Sequence, residues 1–107
     1  MKDTGVALVL TTFDDPEDAA RIGRQLVERK LAACATRLPG ALSTYWWEGR
    51  LEESAETLVL FKTTPARRGE LIAALGELHP YEIPEILSFT PELAGEAYGR
   101  WLAAVLG

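Results

Sequence analysis

The sequence predicts an α+β domain of the split βαβ type, in which two helices pack on an antiparallel sheet and a third helix follows at the C-terminus. Strand-like apolar runs alternate with two amphipathic helical segments. Both helical segments also begin with the same signal, a capping residue followed by proline. A chain of 107 residues is long enough for one domain with a single core. We therefore predict one domain over residues 1–107.

A sharp change in composition marks the first strand and the first helix. Val6 to Leu10 is a continuous apolar run, as expected for a central strand that is covered on both faces. A mostly acidic segment, residues 14–18, comes after this strand. It supplies an aspartate cap and places Pro16 at the first position of a helix. The pattern then predicts a short strand from Ala33 to Leu38, which ends at Pro39-Gly40.

A long hairpin is predicted over residues 42–63, with its turn at Gly49. Its returning strand, residues 51–63, exceeds the usual length of about 5–6 residues. Trp46 points to one face of the hairpin, whereas Tyr45 and Trp47 point to the other. We therefore expect the hairpin to pack against another subunit, since a monomer would expose these rings. The alternative is that the two tryptophans merely flank a surface turn.

The last elements complete a recognisable order. Thr64-Pro65 starts a second amphipathic helix that ends at Pro80, residues 84–90 form a last strand, and Pro91 opens a terminal helix. The order β-α-β-β-α-β is that of the ferredoxin-like fold, and its right-handed crossovers place both long helices on one face of the sheet. The other face then needs a cover that one chain does not supply.

Composition excludes several classes of function. A net charge of −5 and a pI near 4.8 argue against nucleic acid as a partner, because phosphate contacts need clustered Lys and Arg. The run from Val6 to Leu10 is too short to span a membrane. With Cys34 as its one cysteine, the chain forms no internal disulfide, which predicts a cytoplasmic location.

His79 is the only histidine, and the segment around it allows two interpretations. In the structural one, the imidazole ends the second helix and faces the negative end of the helix dipole. In the functional one, His79 and Glu82, with Glu85 as a third candidate, are ligands of a divalent cation. Within one chain we favour the structural interpretation, since a closed transition-metal site takes three or four protein ligands. A subunit boundary would add ligands that one chain lacks.

Cys34 and Lys62 also have two interpretations each. Cys34 lies in an apolar run of small residues, where a thiol usually packs as a small hydrophobic group. Lys62 follows an apolar run, and it is either a charge in a pocket or a side chain that extends to solvent at a strand end. An enzyme with Cys34 as nucleophile and His79 as base is the least favoured interpretation, and we predict no catalytic activity.

Four motifs carry a family resemblance over nearly the whole chain. KLAACA at 30–35, YWWEG at 45–49, KTT at 62–64 and HPYEIPEI at 79–86 together resemble the CutA family of divalent-cation tolerance proteins. The resemblance implies a ferredoxin-like subunit in a homotrimer, with hairpin strands that pair across subunits. It also implies an association with tolerance to copper and other divalent cations, and a trimer similar to that of PII signalling proteins.

The resemblance also implies a set of site residues. His79, Glu82 and Cys34 become the candidate metal ligands, and these side chains become candidates for the subunit interface or its pocket: Tyr45, Trp46, Trp47, Lys62 and Tyr81. Thr11 and Leu78 occupy positions where some members of the family have Cys and His. Because both replacements remove ligands that copper prefers, we expect weak binding of copper or zinc.

Two functions remain in consideration. The first is a cytoplasmic homotrimer that binds a divalent metal weakly at a subunit interface. The second is a regulatory or scaffolding trimer, similar to PII proteins, that binds a small molecule or a partner protein in the clefts between its subunits. The sequence has no phosphate-binding glycine loop, which argues against a nucleotide as that small molecule.

Overall fold

The computed structural model describes residues 4–107. Within that range the elements are β1 (Ala7–Phe13), α1 (Pro16–Glu28), β2 (Cys34–Trp47), β3 (Arg50–Thr63), α2 (Pro65–Leu78), β4 (Ile86–Phe89) and α3 (Glu96–Leu106). The strands form one antiparallel sheet in the order β2-β3-β1-β4. This architecture confirms the predicted α+β class. None of the helices described in residues 4–107 has the length and apolar character needed to cross a membrane.

The core lies between one face of the sheet and the helices α1 and α2. Alternate residues of β1 and β3 point into it, because successive side chains of a strand face opposite ways. Its largest fully buried side chains are Phe13, Phe61, Ile22, Leu26, Leu71, Leu75, Val9 and Val59. A smaller cluster joins Leu102 and Leu106 of α3 to Ala33.

The opposite face of the sheet is only partly covered within one chain. Leu8 and Leu10 of β1 are half-buried there, while Leu87 and Phe89 of β4 are exposed. The apolar run of β1 thus has one face that is buried against the helices and an opposite face that is only partly covered. A cover from outside the chain, as expected from the sequence, stays a prediction.

The predicted break at Pro39-Gly40 is wrong, because β2 runs through it. The pairing of β2 with β3 shifts register between Leu38 and Ala41, which places Pro39 and Gly40 in a β-bulge. A bulge needs no ladder hydrogen bond from the proline nitrogen, and Gly40 adopts a φ of +80°, which costs little without a Cβ. One 14-residue strand therefore replaces the short strand and the separate hairpin strand.

The predicted hairpin is confirmed, and its distal part, residues 41–56, is called the hairpin arm below. Trp47 pairs with Arg50 across a two-residue turn, in which Glu48 and Gly49 both have positive φ. The arm exposes large apolar side chains, with Leu42 at 76% and Trp46 at 73% of their maximal accessible area.

The helices α1 and α2 begin where the sequence predicts. The Asp15 side chain accepts a hydrogen bond from the Glu17 amide, and the Thr64 side chain accepts one from the Arg67 amide, so each cap precedes a proline at the first helical position. The terminal helix differs from the prediction, since it starts at Glu96 and not at Pro91. The last strand is also shorter than residues 84–90.

Candidate functional site

The end of α2 places His79 inside the protein. Its backbone amide donates to the carbonyl of Leu75 at 2.9 Å, so the residue closes the last turn of the helix. Its side chain is 7% exposed and stacks on Phe13, with 4.3 Å between the ring centroids and an interplanar angle of 7°. The ring therefore belongs to the packed end of the core.

Both ring nitrogens of His79 are engaged within the chain. Nε2 lies 2.9 Å from the Thr12 carbonyl oxygen and 3.1 Å from the Thr11 hydroxyl, while Nδ1 accepts from the Tyr81 amide at 3.2 Å. A carbonyl accepts and an amide donates, so this arrangement specifies a neutral ring with its proton on Nε2. Burial lowers the pKa of His79, and the Thr12 carbonyl and nearby acids oppose it only in part. His79 is therefore a neutral, buried ring in this structure, and not the charged imidazole that was predicted to face the negative end of the helix dipole.

Tyr81 connects this histidine to a buried carboxylate. The Tyr81 hydroxyl donates to Glu56 Oε2 at 2.7 Å, and the Tyr81 ring meets the His79 ring edge-on at 4.7 Å. Burial of Glu56, which is 9% exposed, raises its pKa, but hydrogen bonds from Ser43, Tyr81 and Thr12 outweigh this and hold the pKa below its ordinary value. Burial and this same carboxylate raise the pKa of Tyr81. Glu56 is thus ionised at neutral pH.

Glu56 and Tyr81 open into a groove between the hairpin arm and residues 81–85. Its volume is about 560 Å³, and it is called the acidic groove below. Six of its lining side chains are aromatic or acidic: Tyr45, Trp47, Tyr81, Glu56, Glu82 and Glu85. Hydroxyl groups of Thr12, Ser43 and Thr44 complete its polar surface. No Lys, Arg or His occurs among the described residues that line it.

The structure brings some of the predicted site residues together and separates others. Tyr45, Trp47, Tyr81 and Glu82 share the acidic groove, whereas Trp46 points to the opposite face of the hairpin arm.

Cys34 and Lys62 form a separate pair at the base of β2. They face each other across the β2–β3 ladder, with Cys34 Sγ 3.8 Å from the Lys62 amine. The lysine amine also contacts the Thr36 hydroxyl. Neither residue lines the acidic groove.

A single chain does not supply the predicted metal site. Within residues 4–107, no three His, Cys, Asp or Glu side chains are grouped so that they could hold an ion. His79 would have to give up a hydrogen bond to offer a nitrogen. The exposed carboxylates of Glu82 and Glu85 are the oxygen ligands that remain available. A site completed by a neighbouring subunit stays a prediction.

Glu56 is the site residue that the sequence did not reveal. It is one of four glutamates between residues 48 and 56, and all of them suit an exposed strand. Only its place two residues before the apolar run of residues 58–61 distinguishes it. That position puts the carboxylate where the hairpin arm meets the covered part of the sheet.

Comparisons with known proteins agree on one family. The family model for the CutA1 divalent ion tolerance protein matches residues 7–105. The divalent-cation tolerance protein CutA of Thermococcus kodakarensis is 40% identical over 99 residues, which are 92% of this chain and 94% of that protein.

Solved structures show the same fold. CutA from Synechococcus elongatus matches with a TM-score of 0.94 and 34% identity, covering 100% of this chain and 95% of that one. A structure named as the periplasmic divalent cation tolerance protein CutA from Archaeoglobus fulgidus matches with a TM-score of 0.90 and 28% identity, over 95% of this chain and 99% of that one.

Proposed function

The chain belongs to the CutA1 family of divalent ion tolerance proteins, and from this premise we propose that it is a homotrimer that binds divalent cations weakly at a site shared between subunits. One observation carries the proposal. The exposed carboxylates of Glu82 and Glu85 lie in the same groove as Tyr45 and Trp47 of the hairpin arm, whose other face is apolar and exposed. A subunit that covers the arm therefore brings its own side chains close to these oxygens.

The available ligands account for the weakness of the binding. Oxygen ligands suit Mg²⁺, Ca²⁺ or Mn²⁺, whereas copper and zinc bind more tightly where nitrogen or sulfur is offered. His79 has both nitrogens in hydrogen bonds, and Cys34 lies against Lys62. The side chains of Thr11 and Leu78 supply neither a nitrogen nor a sulfur ligand. A copper or zinc ion that binds a ring nitrogen of His79 must therefore displace one of these hydrogen bonds.

Metal titration of the purified oligomer tests this proposal. We expect a saturable but weak site for copper or zinc by calorimetry, and Glu82→Gln should weaken it. Glu77→Gln on the exposed face of α2 removes the same charge away from the groove and serves as the control. The proposal fails if the wild-type oligomer shows no saturable site, or if both variants bind alike.

A second candidate is a regulatory trimer, similar to PII proteins, that binds a small molecule or a partner protein in the clefts between its subunits. The volume of the acidic groove favours it, since about 560 Å³ lies within the range of about 300–1,000 Å³ that is usual for small-molecule pockets. A thermal-shift screen of metabolites and metals on one preparation separates the two candidates. Stabilisation by a metabolite and not by metals supports the second.

The cytoplasm is the proposed location. The single cysteine supports it, because the chain has no internal disulfide to maintain in an oxidising compartment. Fractionation of cells that express the native chain tests it, and recovery in the periplasmic or secreted fraction would contradict it.

A further inference from the structure

We propose that the acidic groove binds a small organic ammonium cation, which lies against the aromatic rings of Tyr45, Trp47 and Tyr81 and neutralises the carboxylate of Glu56. This inference deepens the second candidate function, because it names a ligand class for the groove. It rests on that candidate only in requiring that the groove admit a small molecule. It does not depend on a metal site.

The charge of the groove determines the sign of its ligand. Three carboxylates line it, from Glu56, Glu82 and Glu85, and no basic side chain is present among the described lining residues. Glu56 makes no ion pair with any residue in the range 4–107. The Glu56 carboxylate is nine-tenths buried and is hydrogen-bonded by neutral donors such as the Tyr81 hydroxyl, so its negative charge stays unbalanced. In a partly buried site this charge attracts a cationic ligand more strongly than it would in water. An anionic ligand would meet repulsion from all three groups.

The aromatic rings favour an organic cation over a metal ion. The face of an aromatic ring attracts an ammonium group, and N-methyl groups gain contact area there as well. A divalent metal ion instead requires several oxygen, nitrogen or sulfur ligands at short distances, and aromatic carbon offers none. The groove is also far larger than a coordination site. Its volume of about 560 Å³ accommodates a molecule of several heavy atoms.

One of the three rings is held in place before any ligand arrives. The Tyr81 hydroxyl donates to Glu56 at 2.7 Å, and the Tyr81 amide donates to His79 at 3.2 Å. The negative charge and the aromatic face are therefore fixed relative to each other. A rigid arrangement of this kind loses little conformational entropy on binding.

A pair of probes with the same shape tests the role of charge. Choline carries a quaternary ammonium group, and 3,3-dimethyl-1-butanol has the same outline without the charge. We expect calorimetry or tryptophan fluorescence of the intact oligomer to show saturable binding of choline at millimolar concentrations, and no saturation with the alcohol. The proposal is overturned if choline does not saturate, or if the two probes bind equally well.

Substitutions then locate the binding. Glu56→Gln should weaken choline binding about tenfold or more, because a hydrogen-bonded charge is lost from the site. Trp47→Ala should weaken it, whereas Trp47→Phe should retain most of the affinity. Glu77→Gln, which makes the same change of net charge outside the groove, should leave the affinity unchanged. Equal affinity in the Glu56 and Glu77 variants would place the binding elsewhere and refute the proposal.

Two further measurements keep the test decisive. Glu82→Gln alters an exposed carboxylate of the same groove, so it reports on the site even if Glu56→Gln fails to fold. Titrations with choline and with Zn²⁺ on the same preparation separate this proposal from the metal proposal. Binding of Zn²⁺ alone refutes the organic-cation site and leaves the metal site standing, and binding of choline alone does the reverse.

Discussion

The imidazole of His79 holds the end of α2 against the sheet through one ring stack and hydrogen bonds at both nitrogens. We expect His79→Ala to lower the free energy of unfolding by about 2–4 kcal/mol, because it leaves a cavity beside Phe13 and removes the partner of the Tyr81 amide. Urea unfolding of metal-free protein at a fixed concentration measures this loss. The exposed Glu82→Ala should change stability by less than about 0.5 kcal/mol. Equal stability of the two variants would show that His79 has no structural role.

The lowered pKa of His79 predicts a pH dependence of stability. The unfolded chain protonates this imidazole near pH 6.5, whereas the folded chain does so only at a lower pH. The unfolded state therefore binds more protons in this interval, and stability is lost as the pH falls from 6.5 through the folded pKa. Urea unfolding at a series of pH values should show this decline in the wild type and a weaker one in His79→Gln. Identical profiles would contradict the assignment to His79.

A second decline is expected at lower pH, because the pKa of Glu56 is also held below its ordinary value of 4.5. The stability from its hydrogen bonds is present above pH 4.5 and is lost as the pH falls through the folded pKa. Glu56→Gln should reduce the decline in this interval and leave the one below pH 6.5 in place. Loss of both declines in Glu56→Gln would show that the two groups titrate as one unit.

The sequence predicts individual site residues unevenly. The family resemblance implies Tyr81 and Glu82 through the HPYE motif, and it implies Tyr45 and Trp47 as well. Alternation along a strand adds that Tyr45 and Trp47 share one face. Glu56 does not follow, because its burial depends on contacts with residues far away in the sequence. The tyrosine that holds it lies 25 residues further along the chain. Local patterns carry no record of such a contact.

The cap of α1 gives a prediction at the scale of a single element. The Asp15 side chain accepts from the Glu17 amide at 2.9 Å, whereas its neighbour Asp14 does not cap the helix. We expect Asp15→Ala to lower the free energy of unfolding by about 0.5–2 kcal/mol, since an amide at the helix start loses its acceptor. Asp14→Ala removes an equal charge from the adjacent exposed position. A similar loss in both variants would mean that charge, and not capping, is the cause.

Element boundaries were predictable where local chemistry sets them. The starts of α1 and α2 follow from a capping side chain and a proline, which act within one turn of the helix. The course of β2 through Pro39 was not predictable, because a proline-glycine pair marks a turn as readily as a bulge. Pairing with β3 on both sides of the bulge decides between them. The start of α3 at Glu96 was not predictable either, because its N-cap, Gly95, makes no side-chain capping hydrogen bond. The proline at position 91 marked the wrong start.

At the scale of the molecule, the hairpin arm predicts assembly. We expect Trp46→Glu to reduce the oligomer mass in sedimentation velocity, because it places a charge on the most exposed ring of the arm. Ala73→Glu adds the same charge on the exposed surface of α2, where glutamate is a good helix former, and should leave the mass unchanged. A wild-type chain that sediments as a monomer, or a Trp46 variant with unchanged mass, would contradict the interface.

The fold class was predictable because it follows from the order of the elements and from the handedness of their connections. The partly covered sheet face was also inferred from the sequence. The run of β1 is apolar on both faces, whereas the two long helices cover only one face of the sheet. Neither argument specifies how far the arm extends beyond the helices. That distance depends on the register of two long strands, which only the paired structure shows.

The register of the arm also limits how its length can change. Beyond the bulge, each residue of β2 lies opposite one residue of β3, from Ala41 with Glu56 to Trp47 with Arg50. Removing one opposing pair, such as Thr44 and Glu53, would turn every more distal side chain to the other face and take Tyr45 and Trp47 out of the groove. Removing two consecutive pairs restores their orientation. Viable relatives of this chain should therefore differ in arm length by an even number of opposing pairs.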